Sequence, residues 1–117
     1  MKILVLDDHD AFREEVLAML SRNNHEGVGV NRADAAIPLA ETGEFDFVLV
    51  DFSMPKHDGL WFMMNVTLPR KTKAILVTGY VHREMMAQMF KRGVAGYLIK
   101  PFDERDLLRH LVFYSTP

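Results

Sequence analysis

The chain contains no cysteine. Disulfides, thiolate nucleophiles and thiolate metal sites are therefore excluded. No apolar run approaches the roughly 20 residues that a membrane-spanning helix needs. The opening "MKILVLDD" has a short apolar run with acids directly behind it, which reads as a strand and not a secretory signal. A cytoplasmic location is the expectation. The net charge of −2 leaves no broad basic footprint, so direct nucleic-acid binding is not expected. The four-residue basic stretch "RKTK" reads as a solvated loop. Repeats, low-complexity tracts and linkers are absent. The 117 residues suit one domain with one core, and the expectation is a single domain over 1–117 with no effector domain.

What is present is organised around "FDFVLVDFSMP", Phe45 to Pro55. The apolar run Phe47 to Val50 reads as a strand buried on both faces, and it ends in Asp51. Strands of this kind lie inside parallel sheets, and ligands bind just beyond their carboxyl ends. Taken alone, Asp51 could simply cap a turn, a common use of aspartate.

The other segments repeat the pattern. Lys2 to Leu6 is a strand ending at Asp7 and Asp8; Asp10 opens a helix carrying Phe12, Val16 and Leu20 at helical spacing. "SRNNHEG" turns the chain into a short strand, Val28 to Val30. Ala33 to Glu41 is a helix that Pro38 should kink or shorten. After Asp51, Asp58 is placed to cap a short helix, "GLWFMMNV", which is apolar nearly all round. Ala74 to Val77 is a strand ending in Thr78. His82 to Arg92 is a helix with Met85, Met86, Met89 and Phe90 expected inward. Gly96 to Ile99 is a strand ending in Lys100. Asp103 caps a last helix with the stripe Leu107, Leu108, Leu111 and Val112. Alternation of strands and helices predicts a doubly wound α/β fold with a parallel five-stranded sheet and helices on both faces. Four of the five strands then deliver a polar residue to one edge: Asp7 with Asp8, Asp51, Thr78 and Lys100.

Crowded carboxylates repel unless a proton or a cation offsets them. An all-oxygen set suits a hard cation such as Mg²⁺. A carboxylate beside such an ion can act as a nucleophile on phosphorus. Lys100 would supply a point charge and Thr78 a hydroxyl for the transferring group. His9 and His57 fall near the acids and raise a transition-metal reading. The lysine and threonine have no role as zinc ligands, which disfavours it.

With "VLDDH", "LVDFSMPKHDG", "LVTGY" and "GYLIKPF" in this order, the chain resembles the receiver domain of two-component response regulators over essentially its whole length. The resemblance implies the CheY-like fold with strand order 2-1-3-4-5. It implies Asp51 as phosphoacceptor, Asp8 as a direct Mg²⁺ ligand, Asp7 as a metal support through water, and Ser53 as a ligand through its backbone carbonyl. Thr78 becomes the switch hydroxyl, Lys100 the lysine that pairs with the phosphoryl oxygens, and Tyr97 the aromatic that turns inward on activation. A cis Lys100–Pro101 bond is implied as well. So is a signalling switch that catalyses its own phosphorylation and dephosphorylation without being a turnover enzyme. The partner implied is a sensor histidine kinase or a histidine phosphotransfer protein. The fourth and fifth helices form a candidate homodimer face. "GVAGYLIK" lacks the acidic pair that one large DNA-binding subfamily uses there, which argues against that particular dimer.

Tyr80 and Ser53 flank the acceptor as departures from the commonest pattern; bulky Tyr80 is expected to shield the phosphoryl group and small Ser53 to expose it. Trp61 and Met64 stand where the family mostly has polar residues, and they mark either an unusually buried helix or a partner patch. Three other readings compete. A haloacid-dehalogenase-like phosphotransferase would need an acid where Ser53 stands. A flavodoxin-like carrier would need a hydroxyl- and glycine-rich loop where "DDHDAF" stands. A degenerate receiver acting only as an interaction module is disfavoured by the intact Asp8, Asp51, Thr78 and Lys100.

Overall fold

The structure, a computed structural model, describes residues 1–115. The strands are β1 (Lys2–Leu6), β2 (Glu26–Val30), β3 (Phe47–Asp51), β4 (Lys73–Thr78) and β5 (Val94–Ile99). The helices are α1 (Asp10–Arg22), α2 (Ala33–Ala40), α3 (Gly59–Asn65), α4 (Arg83–Lys91) and α5 (Glu104–Ser115). All strand pairs are parallel and the order is β2-β1-β3-β4-β5. This is the predicted doubly wound sheet.

Side-chain alternation along the strands divides the core in two. On one face Leu4, Leu6, Val48, Val50 and Leu76 pack with Ala36 of α2, Phe62 of α3 and Met89 of α4. On the other, Ile3, Val5, Phe47, Leu49, Ile75 and Val77 pack with Val16 and Leu20 of α1 and Leu107 and Leu111 of α5. β3 is buried at every position from Phe47 to Asp51, as its unbroken apolar run requires. Truncating a wholly buried side chain such as Phe62 would cost about 3–5 kcal/mol.

The caps explain where helices begin. The Asp58 side chain accepts from the Trp61 amide at 2.9 Å, and Asp103 accepts from the Asp106 amide at 2.8 Å, both as expected. At α1 the cap is His9, not Asp10: His9 Nδ1 accepts from the Phe12 amide at 3.2 Å, and Asp10 is the first helical residue. The helix ends through Asn24 at φ 64, a left-handed conformation that asparagine tolerates. Pro38 lies in the last turn of α2, and the helix stops two residues later at Ala40, so the proline shortens the element.

Two inward assignments are corrected. Phe90 is 43% exposed and Val112 67% exposed. α4 buries only Met89 fully, with Met85 and Met86 partly covered, and α5 buries Leu107 and Leu111. Each helix rests on the sheet along a narrow line, so the outer members of an apolar stripe stay in solvent. β2 begins at Glu26, two residues earlier than its apolar pattern, because its partner strand continues the ladder to Lys2. Among the described residues, no helix is long and apolar enough to cross a membrane.

Candidate phosphoacceptor site

The parallel register brings the strand ends level. Leu6 pairs with Val50, Asp51 with Val77, and Thr78 with Ile99, so the next residue of each strand emerges at the same edge. Asp7, Asp8, Asp51, Thr78 and Lys100 meet there, as the strand assignments predicted. Asp8, His9, Phe12, Asp51, Ser53, Gly79 and Lys100 line an open cavity of about 390 Å³ over this edge.

Each acid is held differently. Carboxylate oxygens of Asp7, Asp8 and Asp51 lie within 4.8 Å of one another, a spacing compatible with one shared cation. Asp7 and Asp51 are buried. Asp7 Oδ1 accepts from the His9 amide at 2.9 Å, and Asp7 Oδ2 pairs with Lys100 Nζ at 2.9 Å. Arg13 donates to the Asp7 carbonyl at 2.8 Å and so fastens the strand end to α1. Lys100 Nζ also reaches Asp51 Oδ1 at 3.2 Å. The lysine thus spans two carboxylates that would otherwise repel.

The electrostatics follow. Burial, then the nearby charge of Asp7, push the Asp51 carboxyl up to about 6; Lys100 opposes the rise without cancelling it. For Lys100 burial works downward, yet hydrogen bonding to Asp7 and the charge of Asp51 win and hold its pKa above the ordinary value. A buried carboxylate that resists ionisation beside two others is a site where a divalent cation would relieve a standing charge conflict. The all-oxygen donor set of Asp7, Asp8 and Asp51 fits a hard cation such as Mg²⁺.

Thr78 is buried, and its hydroxyl donates to the Tyr80 carbonyl at 2.8 Å. Ser53 is exposed at the cavity rim. The Lys100–Pro101 bond is cis. Tyr97 is set apart from the edge: its side chain lies 39% exposed, edge-on to Phe90 with centroids 6.4 Å apart. Tyr80 is 71% exposed and faces His82 at 6.3 Å between ring centroids, and it is not among the residues that line the cavity. The two histidines near the acids are engaged elsewhere. His9 Nδ1 caps α1, and His57 stacks on Trp61 with centroids 3.7 Å apart. The tight carboxylate group contains neither of them.

Two contributors were not expected. By its spacing Phe12 belongs to the core stripe of α1, but its ring lies under Lys100, 4.4 Å from Nζ. Gly59 lies against the backbone at the end of β3: a Cβ there would stand 2.9 Å from the Asp51 carbonyl oxygen. The "HDG" turn after Asp51 was the signal available for the second; none existed for the first.

Residues 3–112 match the family described as the response regulator receiver domain, and the chain belongs to that family. The chain is 32% identical to the chemotaxis protein CheY-3 of Vibrio cholerae over 120 residues, covering 95% of this chain and 88% of the relative. It is 34% identical to the response regulator protein FleR of Pseudomonas aeruginosa over 109 residues, which is 92% of this chain but only 23% of FleR. A Burkholderia pseudomallei response regulator, solved with a phosphorylated aspartic acid, a calcium ion and citrate, superposes with TM-score 0.84 at 27% identity, covering 92% of this chain and 64% of that one. The receiver domain of sensor histidine kinase PA1611 from Pseudomonas aeruginosa, solved with magnesium in its active-site cleft, shares the fold with TM-score 0.83 at 23% identity, covering 97% of this chain and 96% of that one.

Proposed function

We propose that this chain is a phosphorylation-operated switch of two-component signalling, with Asp51 as phosphoacceptor. The observation that carries the reading is the Lys100 ammonium set between the Asp7 and Asp51 carboxylates at one strand-end edge. A phosphohistidine on a sensor histidine kinase or a histidine phosphotransfer protein is the donor. An Asp51 carboxylate oxygen attacks phosphorus, the P–N bond to the donor imidazole breaks, and the departing nitrogen keeps the electron pair and takes a proton from solvent. Lys100 and Thr78 then bind the phosphoryl oxygens, which carry the developing charge. Asp8, Asp51 and the Ser53 carbonyl would hold Mg²⁺ directly, with Asp7 supporting it through water. When bound, the ion neutralises charge on the transferring group and relieves the repulsion among the acids. The chain itself is a switch and not a turnover enzyme.

Phosphorylation replaces one charge by roughly two and adds three acceptor oxygens. Thr78 gains that partner only by leaving Tyr80, and Tyr97 is the side chain that follows it inward. The output surface is the face of α4, β5 and α5, where Phe90, Tyr97 and Ile99 are exposed. That face suits a protein partner or a second copy, whereas direct nucleic-acid binding is not part of the reading. Met64, 52% exposed beside the Trp61–His57 stack, marks a smaller candidate partner patch. The setting is the cytoplasm, where phosphohistidine donors are made.

The test is the intact mass after treatment with acetyl phosphate and Mg²⁺, beside Asp51→Ala. One Mg²⁺-dependent phosphoryl addition, absent from the variant, is expected. No addition, under conditions that modify a known receiver, overturns the switch and leaves an interaction module.

A further inference from the structure

The Lys100 side chain is only 23% exposed, and a buried ammonium needs more than one partner to offset its lost hydration. Two partners are the Asp7 and Asp51 carboxylates. The third is the face of Phe12, whose centroid lies 4.4 Å from Nζ, inside the range of cation–π attraction. The ring is itself fixed. Phe102, two residues after Lys100, packs on it edge-to-face with centroids 5.4 Å apart and planes at 87°. Phe12 belongs to the first turns of α1, whose cap is His9 and whose anchor to the site is Arg13 on the Asp7 carbonyl. The aromatic pair therefore joins α1 to the segment that carries the lysine, and Phe12 itself lines the cavity above Asp51.

We propose that Phe12 is a positioning residue for phosphoryl transfer, holding the Lys100 ammonium over the acceptor by its π face while leaving the charge free to swing between partners. The inference rests on the receiver reading of Asp51. A carboxylate holds an ammonium along hydrogen-bond directions, so leaving it costs the whole bond. A ring face attracts the charge broadly and without saturation. The ammonium can then move from Asp51 toward a phosphoryl oxygen without passing through an unpartnered state. An aliphatic side chain of similar size would fill the same space and keep α1 packed, yet offer no such support.

The experiment compares wild type, Phe12→Leu and Phe12→Tyr in acetyl phosphate with saturating Mg²⁺, following the rate of phosphoryl addition. Ring-current shifts of the Lys100 ε-methylene protons are read by NMR on the same samples without phosphodonor. Phe12→Leu is expected to lose the upfield shift and to slow addition by about three- to tenfold. Phe12→Tyr should restore both, with melting temperatures close across the set. Addition at the wild-type rate in Phe12→Leu overturns the proposal while leaving the switch intact. Equal slowing in Phe12→Tyr, with the shift retained, also overturns it, because packing would then be the cause. A wild-type protein that takes no phosphoryl group overturns the receiver reading itself.

Discussion

The Thr78 hydroxyl is committed to Tyr80: it donates to the Tyr80 carbonyl at 2.8 Å while the Tyr80 amide lies 3.2 Å from the same oxygen. The hydroxyl proposed as the switch is therefore spoken for in this structure. Moving it to a phosphoryl oxygen must release the backbone two residues ahead, which starts the connection into α4. Thr78→Val removes the hydroxyl at constant shape. Tyr80 is exposed, so its freed backbone groups turn to water and the stability loss should stay below about 1 kcal/mol. Phosphoryl addition should persist, but the response of the α4–β5–α5 face to it should be lost. Amide chemical-shift changes at Tyr97 and Phe90 on phosphorylation check this, with Thr78→Ser expected to respond as wild type.

Lys100→Met tests the lysine bridge. The variant keeps the stem and removes the charge that offsets Asp7 and Asp51. Asp51 should become harder to ionise, and phosphoryl addition should slow by tenfold or more, on the order of 1.4 kcal/mol of lost stabilisation. Single-turnover kinetics with acetyl phosphate measure it. Mg²⁺ binding, read by Trp61 fluorescence, should tighten or hold, since a competing cation has gone.

The raised Asp51 carboxyl carries a definite pH signature. In the folded chain it titrates at about 6, against roughly 3.9 when unfolded. The folded state therefore binds the extra proton between those values, and stability falls as pH rises through that window. The penalty is complete above pH 6 and relieved below about 4. Asp51→Asn removes it, and the variant should exceed wild type by up to about 3 kcal/mol at pH 7.5 in chelator, with the gap closing toward pH 4. Urea midpoints at the two pH values decide the sign. Added Mg²⁺ should shrink the gap at pH 7.5 by favouring the ionised carboxylate.

Gly59→Ala should damage the site from behind. The added Cβ would stand 2.9 Å from the Asp51 carbonyl oxygen and 3.0 Å from Phe52 Cα, both backbone atoms that cannot rotate away. Either α3 or the end of β3 must shift, costing about 1–3 kcal/mol. Thermal unfolding should drop accordingly, and phosphoryl addition should fall more than stability alone explains. Alanine at Gly43, where nothing lies within 4 Å, is the contrasting control; its φ of 83° should make it destabilising through backbone strain without touching the site.

Tyr80 faces solvent in this arrangement, so any shield over the phosphoryl group forms only after Thr78 draws the loop inward. Tyr80→Ala should then speed loss of the phosphoryl group several-fold while leaving its addition unchanged. Decay of the phosphorylated mass after removal of donor measures it, and an unchanged decay removes Tyr80 from the account.

The order of elements, the parallel sheet and the acidic edge were legible in the chain. They depend on periodicity, on runs such as Phe47 to Val50, and on which residue closes each run; all are local. Strand ends in a parallel sheet necessarily share an edge, so the strand pattern by itself brings Asp7, Asp8, Asp51, Thr78 and Lys100 together. The helix-forming stripes were legible too, but not their depth of burial. Phe90 and Val112 belong to correct stripes and still lie in solvent, because the line along which a helix touches the sheet depends on its tilt and on neighbouring helices.

Position in the chain alone determined which chemistry was available: three carboxylates, a hydroxyl and an ammonium, with no thiol to compete. Tertiary structure decided how that chemistry is poised. The Lys100 bridge from Asp7 to Asp51, the ring of Phe12 beneath it, the commitment of Thr78 to Tyr80, and the contact of Gly59 with the Asp51 backbone are all set by ångström-scale approach. Such contacts between residues far apart in the chain depend on the relative placement of whole elements. No local pattern of residues encodes that placement by itself.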